Sequence, residues 1–185
     1  MIAYPIGTSG QTLVFTQPVL DRFSSYRQRR SWQREAGGQL FARFDGTDII
    51  VTEATPPSPY DVRSRFGFRP NRRREQAEIL ERHERGHHFI GDWHTHPETE
   101  PHPSPVDTES MRDLVVRSRH QLNGFIMVIV GTRDAPHGLS VTFHSRAATL
   151  HLKPEGAIGS LQAAGEGLPS AASASGAASI RLLKP

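Results

Sequence analysis

Six consecutive apolar residues, Phe125–Val130, do most to limit what this chain can fold into. Successive side chains of a β-strand point to opposite faces of its sheet, so a strand without polar residues must be covered on both faces. The run is also far shorter than the ~20 residues that a membrane helix needs. It therefore predicts a central strand in a sheet that has further layers of structure on both sides.

Apolar patterning elsewhere predicts strands and helices in alternation. The predicted strands are Thr12–Phe15, Gly37–Phe44, Asp48–Ala54, Asp61–Arg69, His88–Trp93, Leu139–Phe143 and Thr149–Leu152. The predicted helices begin at Pro18, at Asn71 and at Ser104; the second ends at Gly86 and the third near Asn123. Because strands and helices interleave, the sequence predicts a layered α/β or α+β domain.

The amino-acid composition limits the functional groups that are available for catalysis and metal binding. The 185 residues suffice for one domain, which we assign to residues 1–154, and the Ala-, Ser- and Gly-rich residues 155–185 are predicted to be a disordered tail. The absence of cysteine excludes disulfides, thiolate nucleophiles and cysteine-bound metals, whereas 10 histidines are available. The N-terminus lacks the features of a signal peptide, so we expect a cytoplasmic protein that binds no membrane. A net charge of +3 is too small to indicate nucleic-acid binding.

Two histidines follow one another at the end of a predicted strand. His94 and His96 are two residues apart, a spacing that places both side chains on one face of a strand. After a proline-rich loop, Ser104 and Asp107 begin the next helix in the pattern of a capping box. If the loop returns the helix start to the strand end, two imidazoles and one carboxylate converge, which is the ligand count of a catalytic zinc site. Taken separately, the two pieces are equally well explained as surface histidines and an ordinary helix cap.

A zinc hydrolase also needs a base, and Glu35 is the candidate. It immediately precedes the apolar strand that begins at Gly37-Gly38, where a charge is out of place. The alternative is a carboxylate at the strand edge that pairs with Arg34 or Arg43.

Together these residues resemble the signature of the JAB/MPN metalloproteases, also called JAMM proteases. The signature comprises Glu35 before two glycines, then His94-Thr95-His96-Pro97, and Ser104-x-x-Asp107 with seven residues between His96 and Ser104. The resemblance covers approximately residues 11–152 and implies a layered domain with a central mixed β-sheet flanked by helices. The softer motifs at residues 61–66 and 91–97 resemble the bacterial deconjugating peptidases of CBASS anti-phage operons and of bacterial ubiquitin-like conjugation systems.

The resemblance also implies a mechanism and partners. His94, His96 and Asp107 are expected to hold one Zn²⁺ per chain, with Glu35 as the base and Ser104 as the oxyanion donor. The implied substrate is a protein whose C-terminal glycine is joined to another protein, the conjugated protein being ubiquitin-like or a nucleotidyltransferase. E1- and E2-like proteins of the same operon are implied as partners.

Two further groups are candidates for substrate binding. Gly37, Gly38 and Gly91 leave room for an extended substrate tail to lie against a strand, although glycines there also suit close strand packing. An arginine cluster that includes Arg63 and Arg65 is predicted to hold an acidic face of the substrate. The alternative is a solvated face balanced by glutamates. The full arginine set is Arg63, Arg65, Arg69 and Arg72 to Arg74, opposite Glu75, Glu78, Glu81 and Glu84.

Three other functions remain open from the sequence. A cupin-like metal enzyme would use His94, His96 and Glu100, but the flanking glycines of that motif are missing and a helix follows. An inactive MPN-type scaffold would lack metal ligands, whereas this chain retains the full set. Binding of nucleic acid through the arginines is the third alternative.

Overall fold

A computed structural model describes residues 1–155; the predicted tail from about Gly156 lies outside the described residues. The strands are β1 (Ile2–Pro5), β2 (Thr12–Phe15), β3 (Gly37–Asp45), β4 (Asp48–Ala54), β5 (Val62–Ser64), β6 (Gly67–Arg69), β7 (His88–Thr95), β8 (Phe125–Val130), β9 (Leu139–His144) and β10 (Thr149–Leu152). The helices are α1 (Gln17–Tyr26), α2 (Arg72–Glu84) and α3 (Pro105–Arg117).

Eight of these strands form one mixed sheet in the order β1-β2-β4-β3-β7-β8-β9-β10. The pairs β2/β4 and β7/β8 are parallel and the others are antiparallel. All six residues of β8 are buried, which confirms that the apolar run is a central strand. The predicted class, a mixed sheet flanked by helices, is likewise confirmed.

Two apolar cores cover the two faces of the sheet. On one face, α1 packs Val19 and Phe23 against the sheet together with Trp93 of β7. On the other face, Ile79 of α2 and Met111 of α3 pack with the odd-numbered residues of β8. The helices thus cover both faces, and the second face is the one on which α3 begins beside the end of β7.

The predicted single strand Asp61–Arg69 is wrong. The chain turns at Arg65-Phe66, and Ser64 pairs with Gly67, so β5 and β6 form a two-stranded hairpin separate from the main sheet. The apolar and basic residues therefore alternate along this hairpin and not along a strand of the main sheet. We refer to β5 and β6 with their turn as the β5–β6 hairpin.

Two other boundaries differ from the sequence prediction. Helix α3 ends at Arg117, well before Asn123, and Ser118 already has extended backbone angles. The sequence pattern also missed β1, a four-residue strand that pairs with β2 at the edge of the sheet. Among the described residues, no helix is both long enough and apolar enough to cross a membrane.

Candidate active site

The three predicted metal ligands converge at the end of β7. Nε2 of His94 lies 3.1 Å from Nε2 of His96, and the two carboxylate oxygens of Asp107 lie 3.3 and 3.5 Å from these nitrogens. The ligand atoms of the three residues all lie within 4.8 Å of one another. Two imidazole nitrogens and one carboxylate suit a zinc ion that keeps its fourth coordination position open.

Strand geometry positions the two histidines. His94 is the penultimate residue of β7, and the backbone N–H of His96 continues the pairing by donating to the Val130 carbonyl at 2.9 Å. Between them, Thr95 points to the opposite face, where its hydroxyl donates to Gln28. Trp93 also points there, and its indole N–H donates to the Thr55 carbonyl. The two anchored neighbours leave His94 and His96 on the same face.

The start of α3 supplies the third ligand through a capping box. The Asp107 backbone N–H donates to the Ser104 hydroxyl oxygen at 3.2 Å, and the Ser104 N–H donates to the Asp107 carboxylate at 2.8 Å. The predicted cap and the predicted ligand are therefore the same residues. The cap holds the Asp107 carboxylate in the orientation that it needs beside the histidines.

The protonation states at this site suit metal binding. Burial opposes charge on Asp107, but hydrogen bonding and the charge of His94, with the bonds to Ser104, hold its pKa below the usual range. Burial and the charge of His94 lower the pKa of His96, so this imidazole is neutral near pH 7. A metal ligand must carry a free lone pair, and both residues satisfy that condition.

Glu35 precedes β3 and lines the same cavity as the three ligands. It is 6% exposed, and burial, with the charges of Asp107 and Glu98, raises its pKa to about 7 against the opposing effect of His94. Its carboxylate makes no ion pair among the described residues, so the alternative pairing with Arg34 or Arg43 is not seen. A carboxyl group whose pKa is near neutral pH is suited to proton transfer.

The β5–β6 hairpin holds Glu35 through its backbone. The Glu35 N–H donates to the Ser64 carbonyl at 2.7 Å, and Nε of Arg63 donates to the Glu35 carbonyl at 2.5 Å. Arg65 donates to the carbonyls of Arg30, at 3.2 Å, and of Ser31. Both arginines therefore tie the hairpin to the segment that leads into β3, in addition to any role towards substrate.

The other arginines of the cluster are partly balanced by glutamates. Arg72 pairs with Glu75 at 2.9 Å, and Arg74 pairs with Glu78 at 3.1 Å. The Arg74–Glu78 pair agrees with the alternative of a balanced, solvated helix face, whereas Glu75 is buried at the cavity wall.

The predicted glycines stand in close packing contacts. A Cβ on Gly37 would lie 2.6 Å from the Phe68 ring, and one on Gly38 would lie 2.3 Å from the Thr55 carbonyl oxygen. Gly91 has a φ of +144° and contacts the Ile126 backbone of β8 at a distance that leaves no room for a side chain. β3 pairs with β7 from Gly37 onward but with β4 only from Leu40, so Gly37 and Gly38 have no strand partner on the β4 side among the described residues and remain candidates for substrate binding.

A cavity of about 600 Å³ surrounds the metal ligands. Its walls include residues of the β5–β6 hairpin, α2, β7 and α3. Two residues that line this cavity, Asp92 and Glu75, were not predicted from the sequence to belong to the site. Strand alternation alone offered a signal for Asp92, since this residue stands two positions before His94 and shares its face. Glu75 was assigned only to a solvated helix face, because a sequence does not show which glutamates a fold buries.

Fold and site together define a JAB-type domain, and comparison with known proteins agrees. The family model described as prokaryotic homologs of the JAB domain matches residues 16–145, and the chain belongs to this family. A CD-NTase/cGAS isopeptidase of Escherichia coli is 34% identical over 125 residues, or 66% of this chain and 78% of the relative. One of Vibrio cholerae is 35% identical over 119 residues, or 63% and 74%. A probable metalloprotease, y4qB, of Sinorhizobium fredii is 32% identical over 87 residues, or 44% and 52%.

The site geometry does not favour the cupin alternative. Glu100 is exposed and its carboxylate pairs with Arg133 at 3.2 Å. The carboxylate that joins His94 and His96 is that of Asp107.

Proposed function

We propose that this protein is a zinc-dependent isopeptidase that removes a conjugated protein after its C-terminal glycine. The observation that carries the proposal is the convergence of His94, His96 and Asp107 in a cavity that Glu35 also lines. Two imidazoles and one carboxylate are a donor set typical of catalytic zinc. Complete ligands and a base argue against the inactive scaffold as the alternative function.

Each proposed catalytic residue has a separate task. His94, His96 and Asp107 would hold the zinc ion, which when bound would supply Lewis acidity to a carbonyl and to the attacking water. Glu35 accepts the proton of the attacking water and passes it to the leaving amine. The Ser104 hydroxyl oxygen already accepts from the Asp107 N–H, so its proton is free to be donated to the developing oxyanion.

The names of the relatives support the choice of substrate. A CD-NTase, the nucleotidyltransferase of a CBASS operon, is the conjugated protein that we propose, and a bacterial ubiquitin-like protein is the alternative. E1- and E2-like proteins of the same operon would form the bond that this enzyme hydrolyses. We place the reaction in the cytoplasm and the catalytic machinery in residues 1–154.

A free strand edge also lies near the cavity on β6, and we propose this edge as the place for an extended tail. Within the described residues β6 pairs with β5 alone, and Gly67 and Phe68 of β6 line the cavity. An extended C-terminal tail can therefore add to β6 by backbone hydrogen bonds and bring its last carbonyl to the metal ligands. Gly37 remains beneath this path, in contact with Phe68.

The test combines metal analysis with hydrolysis by the full chain. The substrate is a CD-NTase joined through its C-terminal glycine to a reporter protein. Wild-type protein should contain about one zinc per chain and release the reporter. His94→Ala and Asp107→Ala should lose most of the zinc, and Glu35→Gln should keep zinc but lose most of the turnover, because an amide cannot accept the proton.

Three outcomes would contradict the proposal. Full zinc occupancy in both ligand variants would disprove the ligand assignment. Wild-type turnover by Glu35→Gln would show that Glu35 is not the base. A protein that binds zinc and CD-NTase but cleaves neither this substrate nor a ubiquitin-like fusion would be a scaffold.

A further inference from the structure

The cavity around the metal ligands contains more carboxyl groups than the proposed chemistry uses. Five residues with carboxyl groups line it but only one with a guanidinium, although the whole chain has a net charge of +3. Glu35 and Asp107 belong to the proposed catalytic site, and Glu98 stands beside His96. The others are Glu75, Asp92 and Arg72, which we call the acidic floor.

The acidic floor lies beside the metal ligands. Asp92 and His94 point to the same face of β7, and two residues of a strand span about 6.6 Å. Glu75 reaches the same place from the first turn of α2 and is 8% exposed, with Arg72 bonded to it at 2.9 Å. A group that enters the cavity next to the scissile bond therefore meets these carboxylates.

The residues of the acidic floor lack a full set of charged and hydrogen-bonding partners among the described residues. Two carboxyl groups face one guanidinium, and burial, followed by the charge of Asp92, favours the neutral form of Glu75 and raises its pKa to about 8, so a second cation is needed to hold both groups in the charged form. Oδ1 of Asp92 is shielded from solvent and has no hydrogen-bond partner in the described part of the chain. Directly across on β3, Gln39 is 1% exposed, and both polar atoms of its side chain also lack partners there, but it lines a smaller adjacent cavity that Glu75 shares. Buried polar groups of native proteins normally have partners, so Oδ1 of Asp92 is available to accept a hydrogen bond from a group that enters the cavity.

The walls that lead to the acidic floor are apolar. Phe66 and Phe68 of the β5–β6 hairpin, Met111 of α3 and Met127 of β8 line the same cavity. Lysine and arginine side chains combine an apolar stem with a terminal cation, and they bury the stem along apolar surface while the charge meets polar groups. The cavity therefore offers apolar walls for such a stem and carboxyl groups for its terminal charge.

We propose that the acidic floor is a specificity subsite for a basic side chain, lysine or arginine, within two residues of the scissile bond. This inference rests on the proposed isopeptidase function. The aliphatic stem lies between the phenylalanine and methionine side chains, and the cation is held by Asp92 and Glu75. The substrate cation supplies the second positive charge that the two carboxylates lack.

The test uses a matched set of peptide-linked reporter substrates. They differ at one position at a time, within two residues of the cleaved bond, and carry lysine, norleucine or glutamate there. At one position we expect kcat/KM for lysine to exceed that for norleucine by about tenfold or more, because hydrogen bonds to charged groups are strong when buried. Glutamate should be the poorest substrate at that position.

Isosteric variants assign the preference to the acidic floor. Glu75→Gln and Asp92→Asn should each reduce the lysine-to-norleucine ratio towards one, and Glu75→Lys should shift the preference to glutamate. Glu81→Gln is the matched control, because Glu81 lies on the same helix and pairs with Arg85 outside the cavity. Zinc content and Tm of each variant show whether the fold survives, and Asp92→Asn provides the test if the Glu75 variants do not fold.

A binding measurement separates this inference from the proposed function. Fluorescence anisotropy of the same peptides on Glu35→Gln protein compares lysine with norleucine without any hydrolysis. Tighter binding of the lysine peptide that Asp92→Asn abolishes supports the subsite even if no peptide is cleaved, in which case only the isopeptidase proposal fails. Equal binding and equal kcat/KM for lysine and norleucine at every position, or a preference that survives both isosteric variants, would overturn the subsite.

Discussion

At the scale of single residues, the site places charge where the fold would favour an apolar group. The Glu35 carboxyl is almost fully buried, and burial raises its pKa from 4.5 to about 7. The unfolded chain releases this proton near pH 4.5, whereas the folded protein keeps it until about pH 7. Raising the pH through this window therefore removes stability, and the loss is complete above pH 7. A loss of folding stability caused by a functional residue is common in enzymes.

We predict that Glu35→Gln stabilises the metal-free protein, and more at pH 8 than at pH 5. The rise of the pKa from 4.5 to about 7 corresponds to at most about 3–4 kcal/mol, because a tenfold change in an equilibrium constant is worth about 1.4 kcal/mol. The measurement is the free energy of unfolding in denaturant at both pH values in the presence of a chelator. Glu81→Gln, an exposed substitution, is the control. An equal effect of Glu35→Gln at the two pH values would show that Glu35 has an ordinary pKa in the folded protein.

Ser104 combines two residue-level roles that substitutions can separate. Ser104→Ala removes the helix cap, at about 1 kcal/mol, and also the proposed oxyanion donor, which should reduce turnover by about a hundredfold or more. Ser104→Asp keeps an acceptor for the Asp107 N–H but has no hydroxyl to donate. We therefore expect turnover to fall in the order Ser, Thr, Ala, Asp, whatever the order of Tm values. An active and stable Ser104→Asp enzyme would leave Ser104 with the capping role alone.

At the scale of elements, local pattern predicted most of the main sheet and the ligand set. The alternation in β7 placed His94 and His96 on one face, and the capping pattern placed Asp107 at the start of α3; both depend on neighbours in sequence. The β5–β6 hairpin was missed because its turn at Arg65-Phe66 contains no glycine or proline to signal it. The burial of Glu75 depends on how α2 packs on β7, and a single sequence carries no direct record of such long-range packing.

The β5–β6 hairpin gives an element-level prediction for Arg63. Because Nε of Arg63 bonds the backbone of Glu35, Arg63→Gln should lower kcat by about tenfold while zinc content and KM change little. Arg69→Gln is the comparison, because Arg69 makes no side-chain hydrogen bond among the described residues. If the arginines instead hold an acidic face of the substrate, both variants should raise KM, and the effect should weaken with added salt. Steady-state kinetics at two salt concentrations distinguish the two roles.

At the scale of the whole molecule, the site joins parts of the chain that are distant in sequence. Glu35 precedes β3, the histidines end β7, and Asp107 begins α3, while the two apolar cores fix these elements on the sheet. The three proposed metal ligands would thus link the central sheet to a helix through one ion. A ligand that binds only the folded state stabilises the entire domain, because the unfolded chain cannot bring these residues together.

We therefore predict that zinc raises the Tm of the whole domain. At a free zinc concentration 100-fold above its Kd, the gain is about 2.7 kcal/mol. For a domain of this size each kcal/mol shifts Tm by about 2–4 °C, so the expected rise is about 5–10 °C over chelator-treated protein. Glu35→Gln should retain the rise, since Glu35 is not a proposed ligand, whereas His94→Ala and Asp107→Ala should lose most of it. Scanning calorimetry of the four proteins with chelator and with buffered zinc measures the effect. The same rise in His94→Ala as in wild type would mean that zinc stabilises the fold from a different site.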